Sequence, residues 1–439
     1  MLKKFQKHIN QNLPFLNKGK LLVTISGGID SVILAHLCSQ AKLHLALAHC
    51  NFNLRGKESD ADQDFVVQLA KDLRVEIYTK SFDTNAVAEK LKISTQMAAR
   101  DLRYSWFDVL CTQQQFDYVL TAHHADDNLE TFLINLTRGT GLDGLTGIPE
   151  VNDNIIRPLL KFSREEIVSF AKVNNFKWRE DSSNASTKYL RNKLRHDVIP
   201  VLKEMNTELL HNFETTQSNL KYSKSIIKDA VKRIYKDVVS IEDAVIKLHT
   251  KKLQELPNTN AYVFELLKDF NFTAWKDVYN LLEAQSGKQV FSATHRLVKD
   301  RDYLLVTGVS DANNSTSDVS ISIAEDVKSI EIPFGVLSFE TTQKIQESNT
   351  STLYLDKDLL KFPLTVRKWQ KGDYFYPLGM HGKKKLSKFF KDEKYSLLEK
   401  EKALILYSGE DVIWVINKRG DNRYKVTEKT KNILKITLQ

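Results

Sequence analysis

The chain has 439 residues, more than one compact core usually holds, so two or three domains are expected. Its 42% hydrophobic and 27% charged content excludes fibrous and wholly disordered classes. Lys and Arg number 64 against 55 Asp and Glu, and the net charge of +9 favours a polyanionic partner such as nucleic acid, although a generally basic soluble enzyme fits it equally.

From residue 20 to 160, short apolar runs (LLVTIS, HLALAHC, DYVLTAHH) alternate with helix-compatible stretches such as SVILAHLCSQ and SDADQDFVVQLAKDLR. This alternation predicts an α/β fold with a doubly wound, mainly parallel sheet and ligands at the carboxyl ends of its strands. Three runs end in polar residues there: Ser26, His49 to Asn51, and His123 with His124. From about Glu165 to Leu210 the pattern turns helical, with a basic polar insert, WREDSSNASTKYLRNKLRHDVIP. A long polar helix is predicted from about Thr207 to Val239 as a connector. Residues 241 to 308 read as a small mixed helical unit, and SDANNSTSDVS after Gly308 as a linker. Beyond Ser351 the strand-like LTVRKW, ALILYS and DVIWVINK, with a helix-like KKKLSKFFKDEK, predict a small α/β terminal domain. The expected domains are therefore 1–210, 211–345 (a helical linker domain) and 350–439.

Three cysteines, Cys38, Cys50 and Cys111, with no C-x-x-C pair exclude a disulfide framework, a zinc ribbon and cysteine-ligated iron–sulfur clusters of the usual spacing. A cytoplasmic location is expected. No apolar run approaches the roughly 20 residues of a membrane-spanning helix, and MLKKFQKHINQNLPF lacks the apolar stretch of a secretory signal.

The sharpest motif is Ser26-Gly27-Gly28-Ile29-Asp30-Ser31, between the strand LLVTI and the helix SVILAHL. Paired glycines allow a tight turn, so that backbone N–H groups and a helix amino terminus converge on one anion. Ser26 and Ser31 add hydroxyls, and Asp30 can hold Mg²⁺ or a proton. The plainer alternative is an ordinary strand–helix turn. No G-x-x-x-x-G-K-[ST] element is present. In His123-His124-x-Asp126-Asp127-x-x-Glu130, the first and last acids are i,i+4 on a helix, with Asp127 near the same edge. Such carboxylates can bind Mg²⁺ or a substrate ammonium group, or merely cap and solvate the helix. Arg100 and Arg103, one turn apart, can offer planar donors to phosphate. Arg191, Lys193, Arg195 and His196 form a basic patch that can track phosphates or cap a helix end. Between Lys361 and Lys394, ten Lys or Arg face three acids, so most of the net charge is clustered among interleaved aromatics.

The Ser26–Ser31 loop resembles the pyrophosphate loop of the N-type ATP pyrophosphatases, which cleave ATP between its α- and β-phosphates. Further motifs resemble the tRNA(Ile)-lysidine synthetase family: AHCNFNLRG at 48–56, AAR with Arg103-Tyr104, TAHHADDNLET at 121–131, RGTG at 138–141, RPLL at 157–160, REDSSN at 179–184 with Arg191-Asn192, and GD with PLGMHGKKKL at 377–386. The likeness spans nearly the whole chain, with residues 241–350 matching least distinctively; one departure is Phe52, where that family often has a second His.

The resemblance implies ATP-dependent adenylation of the wobble cytidine of tRNA(Ile) with a CAU anticodon. Attack by free L-lysine would then give lysidine, AMP and pyrophosphate and change decoding from AUG to AUA. It implies an ATP site at Ser26, Gly27, Gly28, Ile29, Asp30, Ser31 and His49, catalytic roles for Asp30, Asp126 and Arg100, and Mg²⁺ at Asp30 and Asp127. Lysine or tRNA would meet Asp127, Glu130, Arg103, Arg191, Lys383, Lys384 and Lys385, with 211–345 and 350–439 as tRNA-binding domains and a homodimer possible. The rivals are a tRNA thiolation enzyme of the same superfamily, from which the missing C-x-x-C detracts, and a non-catalytic RNA-binding protein with a relic nucleotide site.

Overall fold

Along the first strand, Leu21 and Val23 pack into one core and Leu22 into another on the opposite side of the sheet, the two-residue alternation of a strand covered on both faces. That strand belongs to a computed structural model which describes residues 1–180, 190–309, 320–346 and 349–439. The motif residues 181–184 and most of the SDANNSTSDVS stretch lie outside the described residues. The chain divides into two units, Met1–Ile227 and Lys228–Gln439.

In the first unit a six-stranded sheet runs β3-β2-β1-β4-β6-β5. Its strands are β1 (Leu21–Thr24), β2 (Leu45–Asn51), β3 (Ile77–Ser81), β4 (Tyr118–Leu120), β5 (Val151–Asn152) and β6 (Ile155–Ile156). All neighbours are parallel except the β5–β6 edge pair. The helices are α1 (Leu2–Asn12), α2 (Ile29–Gln40), α3 (Lys57–Leu73), α4 (Thr84–Leu91), α5 (Thr95–Gln114), α6 (Ala125–Arg138), α7 (Leu142–Leu145) and α8 (Arg164–Val173). One face of the sheet buries Phe5, Val32, Leu34 and Phe162, and the other buries Trp106, Phe107 and Leu110 of α5. Connections leave β1 in one direction toward β2 and the other toward β4, so the carboxyl ends of β1 and β4 flank the switch point where doubly wound sheets bind ligands.

A helical stretch follows: α9 (Leu190–Lys193), a π-helical turn Leu194–Val198, and α10 (Ile199–Met205). The long polar helix α11 spans Leu209–Val238, and the division between units falls within it.

The second unit holds more strand than the sequence pattern suggests. Where a mixed helical unit is expected, residues 239–308 form a five-stranded antiparallel sheet in the order Val239–Glu242, Val245–His249, Tyr303–Gly308, His295–Asp300, Gln289–Phe291. Short helices Thr250–Gln254, Thr259–Leu267 and Trp275–Asn280 pack with it around Leu248, Val263, Leu297 and Leu304. These strands are only three to six residues long, too short for a clear alternation. Among the described residues the remainder holds three further sheets: Ser320–Ile323, Leu364–Lys368, Leu404–Ser408, Asp411–Val415 and Arg419–Gly420 in that order; Ser329–Ile332, Gly335–Thr342, Ile433–Leu438 and Thr352–Asp356 in that order; and the pair Tyr374–Phe375 with Lys384–Lys385. LTVRK, LILYS and DVIWV are central strands of the first, at Leu364–Lys368, Leu404–Ser408 and Asp411–Val415. Among the described residues no helix is long and apolar enough to cross a membrane.

Candidate active site

β1 ends at Thr24 and the chain turns through Ser26–Gly28 into α2. Gly27 adopts φ +90°, a left-handed conformation that favours glycine, and its carbonyl accepts the Arg179 N–H at 2.9 Å. Gly28 is the N-cap of α2 in an extended conformation and brings no side-chain acceptor to the first-turn N–H groups. Those donors and the positive end of the helix dipole are chemically suited to an anion. The loop is braced from within: the Ser31 hydroxyl donates to the Gly28 carbonyl at 2.9 Å and accepts the Ser26 N–H at 3.2 Å. Ile29 is buried, so it can offer a ligand only its backbone.

Ser26, Gly28, Asp30 and Ser31 line a cleft of about 460 Å³. Across it stand Thr121, His123 and Asp127 after β4, Ala48 and Cys50 of β2 with Phe52 just after it, Arg103 and Tyr104 of α5, and Arg191. The loop and the His-His-acid motif, distant in sequence, thus meet at the switch point.

The acids of α6 separate by partner. Asp127 takes Arg191 Nη2 at 3.0 Å and Arg195 Nη2 at 3.2 Å on one oxygen, and the His124 N–H at 3.1 Å on the other. Glu130 takes the Nε groups of the same two arginines at 2.6 Å each and is 1% exposed. Asp126, by contrast, accepts the Arg164 N–H at 2.8 Å and the Lys203 ammonium, and lines a neighbouring cavity rather than the cleft. Asp127 thus shares its two arginines with Glu130, while Asp126 and Glu130, the i,i+4 pair, line the neighbouring cavity together; of the three acids Asp127 lines the cleft. Buried His124 sits among the acids, its Nε2 3.4 Å from Asp127 and 3.7 Å from Asp30. Arg164 holds both oxygens of Asp30 at 3.1 and 3.2 Å.

Burial alone would push the Asp127 carboxyl up, but His124, Arg191, His123 and the His124 N–H hold it below the usual carboxylate range. It stays anionic. Burial pushes His123 down to about 4; Asp127 opposes this, while Arg157 and Arg191 add to it. His123 is therefore neutral near pH 7, with Nδ1 3.0 Å from the Thr121 hydroxyl.

Other expected site residues fall elsewhere. Strand parity turns His49 away from the cleft that Ala48 and Cys50 line; its Nδ1 lies 2.9 Å from the Ile25 carbonyl, and burial lowers its pKa. Arg100 is exposed, its guanidinium 4.9 Å from the centre of the Tyr104 ring, and only that ring reaches the cleft. Arg103 does line the cleft and sits 5.2 Å from the Phe52 ring centre, so the aromatic that departs from the resemblance forms part of the wall. In the second unit, Lys384–Lys385 pair as a short strand with Tyr374–Phe375. Lys384 is paired with Asp392 at 2.9 Å, Lys383 lies 3.4 Å from the Tyr374 ring centre, and Lys385 is exposed. Phe375, Phe389 and Phe390 are core.

Sequence reasoning missed Arg164, Lys203 and Arg157. Arg157 is buried and donates to the Pro149 carbonyl at 2.7 Å. Arg157 falls in the RPLL motif, a signal that was present; Arg164 and Lys203 carry none.

A parallel sheet with an S-G-G-x-D-S loop opening a helix at its switch point, facing acids after the neighbouring strand, defines an ATP-pyrophosphatase type of nucleotide-binding domain. Residues 1–202 match the PP-loop domain family, 241–309 the TilS substrate binding domain and 364–437 the TilS substrate C-terminal domain. The chain is 38% identical over 416 residues to a tRNA(Ile)-lysidine synthase of Parabacteroides distasonis, covering 94% of each chain. It is 35% identical over 433 residues to that of Bacteroides thetaiotaomicron, covering 98% of this chain and 97% of the relative. The chain belongs to the tRNA(Ile)-lysidine synthase family. Among solved structures it is similar to a U34-tRNA thiolase of Methanococcus maripaludis, with a TM-score of 0.43 at 18% identity over 50% of this chain and 78% of that one. A TilS C-terminal domain structure matches with a TM-score of 0.25 at 19% identity, over 28% of this chain and 98% of that one.

Proposed function

We propose that this chain ligates L-lysine to the wobble cytidine of a CAU-anticodon tRNA(Ile) at the expense of ATP. The observation that carries this is the single cleft uniting the α2 amino terminus with Asp30, Asp127 and neutral His123, in a chain whose full-length relatives are tRNA(Ile)-lysidine synthases.

The backbone donors after Gly28 and the Ser26 and Ser31 hydroxyls bind the ATP phosphates. Mg²⁺ commonly takes one or two carboxylates and completes its shell with phosphate oxygens and water. Asp30 and Asp127 both line the cleft and are oxygen donors of that kind, so they are the residues that would hold it, and the ion would neutralise phosphate charge. The cytidine O2 attacks the α-phosphorus and the bond to pyrophosphate breaks. The lysine ε-nitrogen then attacks C2, AMP departs, and the nitrogen loses a proton. A base in an unstacked anticodon loop can enter such a cleft at low cost. Asp127, held anionic, suits a cation, and Asp30 is the other carboxylate lining the cleft and the one assigned to proton removal. The basic cluster at 361–394 suits RNA phosphates.

The test is incubation of the protein with ATP, labelled lysine and a CAU-anticodon tRNA(Ile). Lysine should enter the tRNA, with AMP and pyrophosphate formed only when both substrates are present. AMP formation without lysine incorporation would overturn the reading in favour of another modification.

A further inference from the structure

Arg164 is the first residue of α8, whose first turn is closed without its side chain. The Ser163 hydroxyl accepts the Glu166 N–H at 3.1 Å, and the Glu166 carboxylate accepts the Ser163 N–H at 2.9 Å. Arg164 is thereby fixed in place with its guanidinium free to act elsewhere. Its main-chain N–H meets Asp126 at 2.8 Å, and its Nη1 spans the two Asp30 oxygens at 3.1 and 3.2 Å. One residue therefore ties the acid of the pyrophosphate loop to the first turn of α6.

The pair is half-exposed: the Arg164 side chain is 42% and that of Asp30 28% accessible. Ion pairs of that kind contribute little to stability. What this one supplies is orientation. Asp30 lies in the first turn of α2, and His124 Nε2, 3.7 Å away, is beyond hydrogen-bond distance, so the Arg164 guanidinium is the group that holds its rotamer. A guanidinium on both oxygens fixes the carboxylate, and misplacing a reacting group by about 1 Å can cost on the order of a hundredfold in rate.

We infer that Arg164 is a positioning residue for the ligation, acting through Asp30; the inference rests on the reading of this cleft as the ATP site. The Arg164→Ala substitution is a clean probe, because the main-chain bond to Asp126 and the Ser163–Glu166 cap are both retained. The experiment measures ATP affinity by calorimetry and AMP release with tRNA and lysine for the wild type, Arg164→Ala, Arg164→Lys, Asp30→Asn and the double variant.

Arg164→Ala should bind ATP within about threefold of wild type and lose roughly 10- to 100-fold in kcat. Arg164→Lys should lose less in kcat than Arg164→Ala. In the Asp30→Asn background, the alanine change should cost less than about twofold, since the group it positions is already disabled. A fully multiplicative loss in the double variant would overturn the inference. So would an ATP affinity weakened more than about tenfold with kcat unchanged, which would make Arg164 a direct phosphate ligand. If the Asp30→Asn signal falls below detection, the split between kcat and ATP affinity decides alone. A wild-type chain that releases no AMP with both substrates overturns the reading of the cleft and the inference together, whereas an active wild type with a multiplicative loss overturns the inference only.

Discussion

Asp127 meets Arg191 Nη2 at 3.0 Å inside the cleft, while its neighbour Asp126 faces Lys203 outside it. Adjacent acids on one helix turn thus serve different cavities. Asp127→Asn and Asp30→Asn should each lower turnover by at least about a hundredfold, the range for a lost charge-stabilising or proton-transfer group. Asp126→Asn should be milder in turnover, and should cost roughly 1–3 kcal/mol in stability by weakening its bonds to Lys203 and the Arg164 N–H. Single-turnover rates and urea unfolding separate the two; equal rate losses in all three variants would contradict the division.

The paired glycines differ in the same way. Gly27 has φ +90°, so Gly27→Ala should destabilise the first unit by roughly 1–2 kcal/mol. Gly28 has an extended conformation that any residue can adopt, and the nearest atom to an added Cβ, Ser26 Oγ, is 3.6 Å away. Gly28→Val should therefore fold normally and lose ATP binding, because its branches would occupy cleft space. Calorimetric titration with ATP and thermal unfolding of both variants check this; undiminished ATP affinity in folded Gly28→Val would count against the phosphate site.

How much of this was legible beforehand depended on sequence distance. The strand–loop–helix around Ser26–Ser31 is a local pattern, and so is the β/α alternation, because each element's period is written in its own residues. His49 was readable in principle: Ala48 and Cys50 share one face of β2, so His49 must take the other. The division between Asp126 and Asp127 was not. Helix geometry says which residues share a face, but the arginines that meet Asp127 arrive from residues 191 and 195, through tertiary packing and across a π-helical turn. The Arg164–Asp30 pair joins residues 134 positions apart and has no local trace. In residues 239–308, strands of three to six residues gave too few alternations to register against helix-compatible neighbours.

His123 gives the site a pH signature. Its pKa in the folded chain is about 4, below the unfolded value near 6.5. As pH falls, the unfolded state takes up the proton first, so the stability tied to the neutral ring is complete above about pH 6.5 and is lost progressively down to about 4. Between pH 7 and 5 the wild type should lose roughly 2 kcal/mol more than His123→Gln. Urea midpoints of the first unit at the two pH values measure the difference. Parallel losses in the two proteins would show that the ring is not held neutral.

In the basic segment of the second unit, Lys383, Lys384 and Lys385 are consecutive, but the structure does not treat them alike. Lys384 is paired with Asp392 at 2.9 Å and its side chain is only 16% accessible, so part of its charge is already neutralised. Lys385 is exposed, and Lys383, itself exposed, rests against the Tyr374 ring with its ammonium 3.4 Å from the ring centre. A lysine that neutralises an RNA phosphate releases close to one counterion, and its removal leaves that counterion bound. Changing all three to Ala should therefore weaken tRNA binding and flatten the log–log salt slope by about 2 rather than 3 units. Lys384→Ala alone should change the slope little. ATP affinity should stay at the wild-type value, because the cleft is built wholly from residues of the first unit. Filter-binding titrations from low to moderate salt check all three variants' slopes against wild type, with Lys385→Ala as the third. An unchanged slope and affinity in the triple variant would make these lysines a solvated face over the Phe375–Phe389–Phe390 core, and the phosphates would have to be met by the other cations between Lys361 and Lys394.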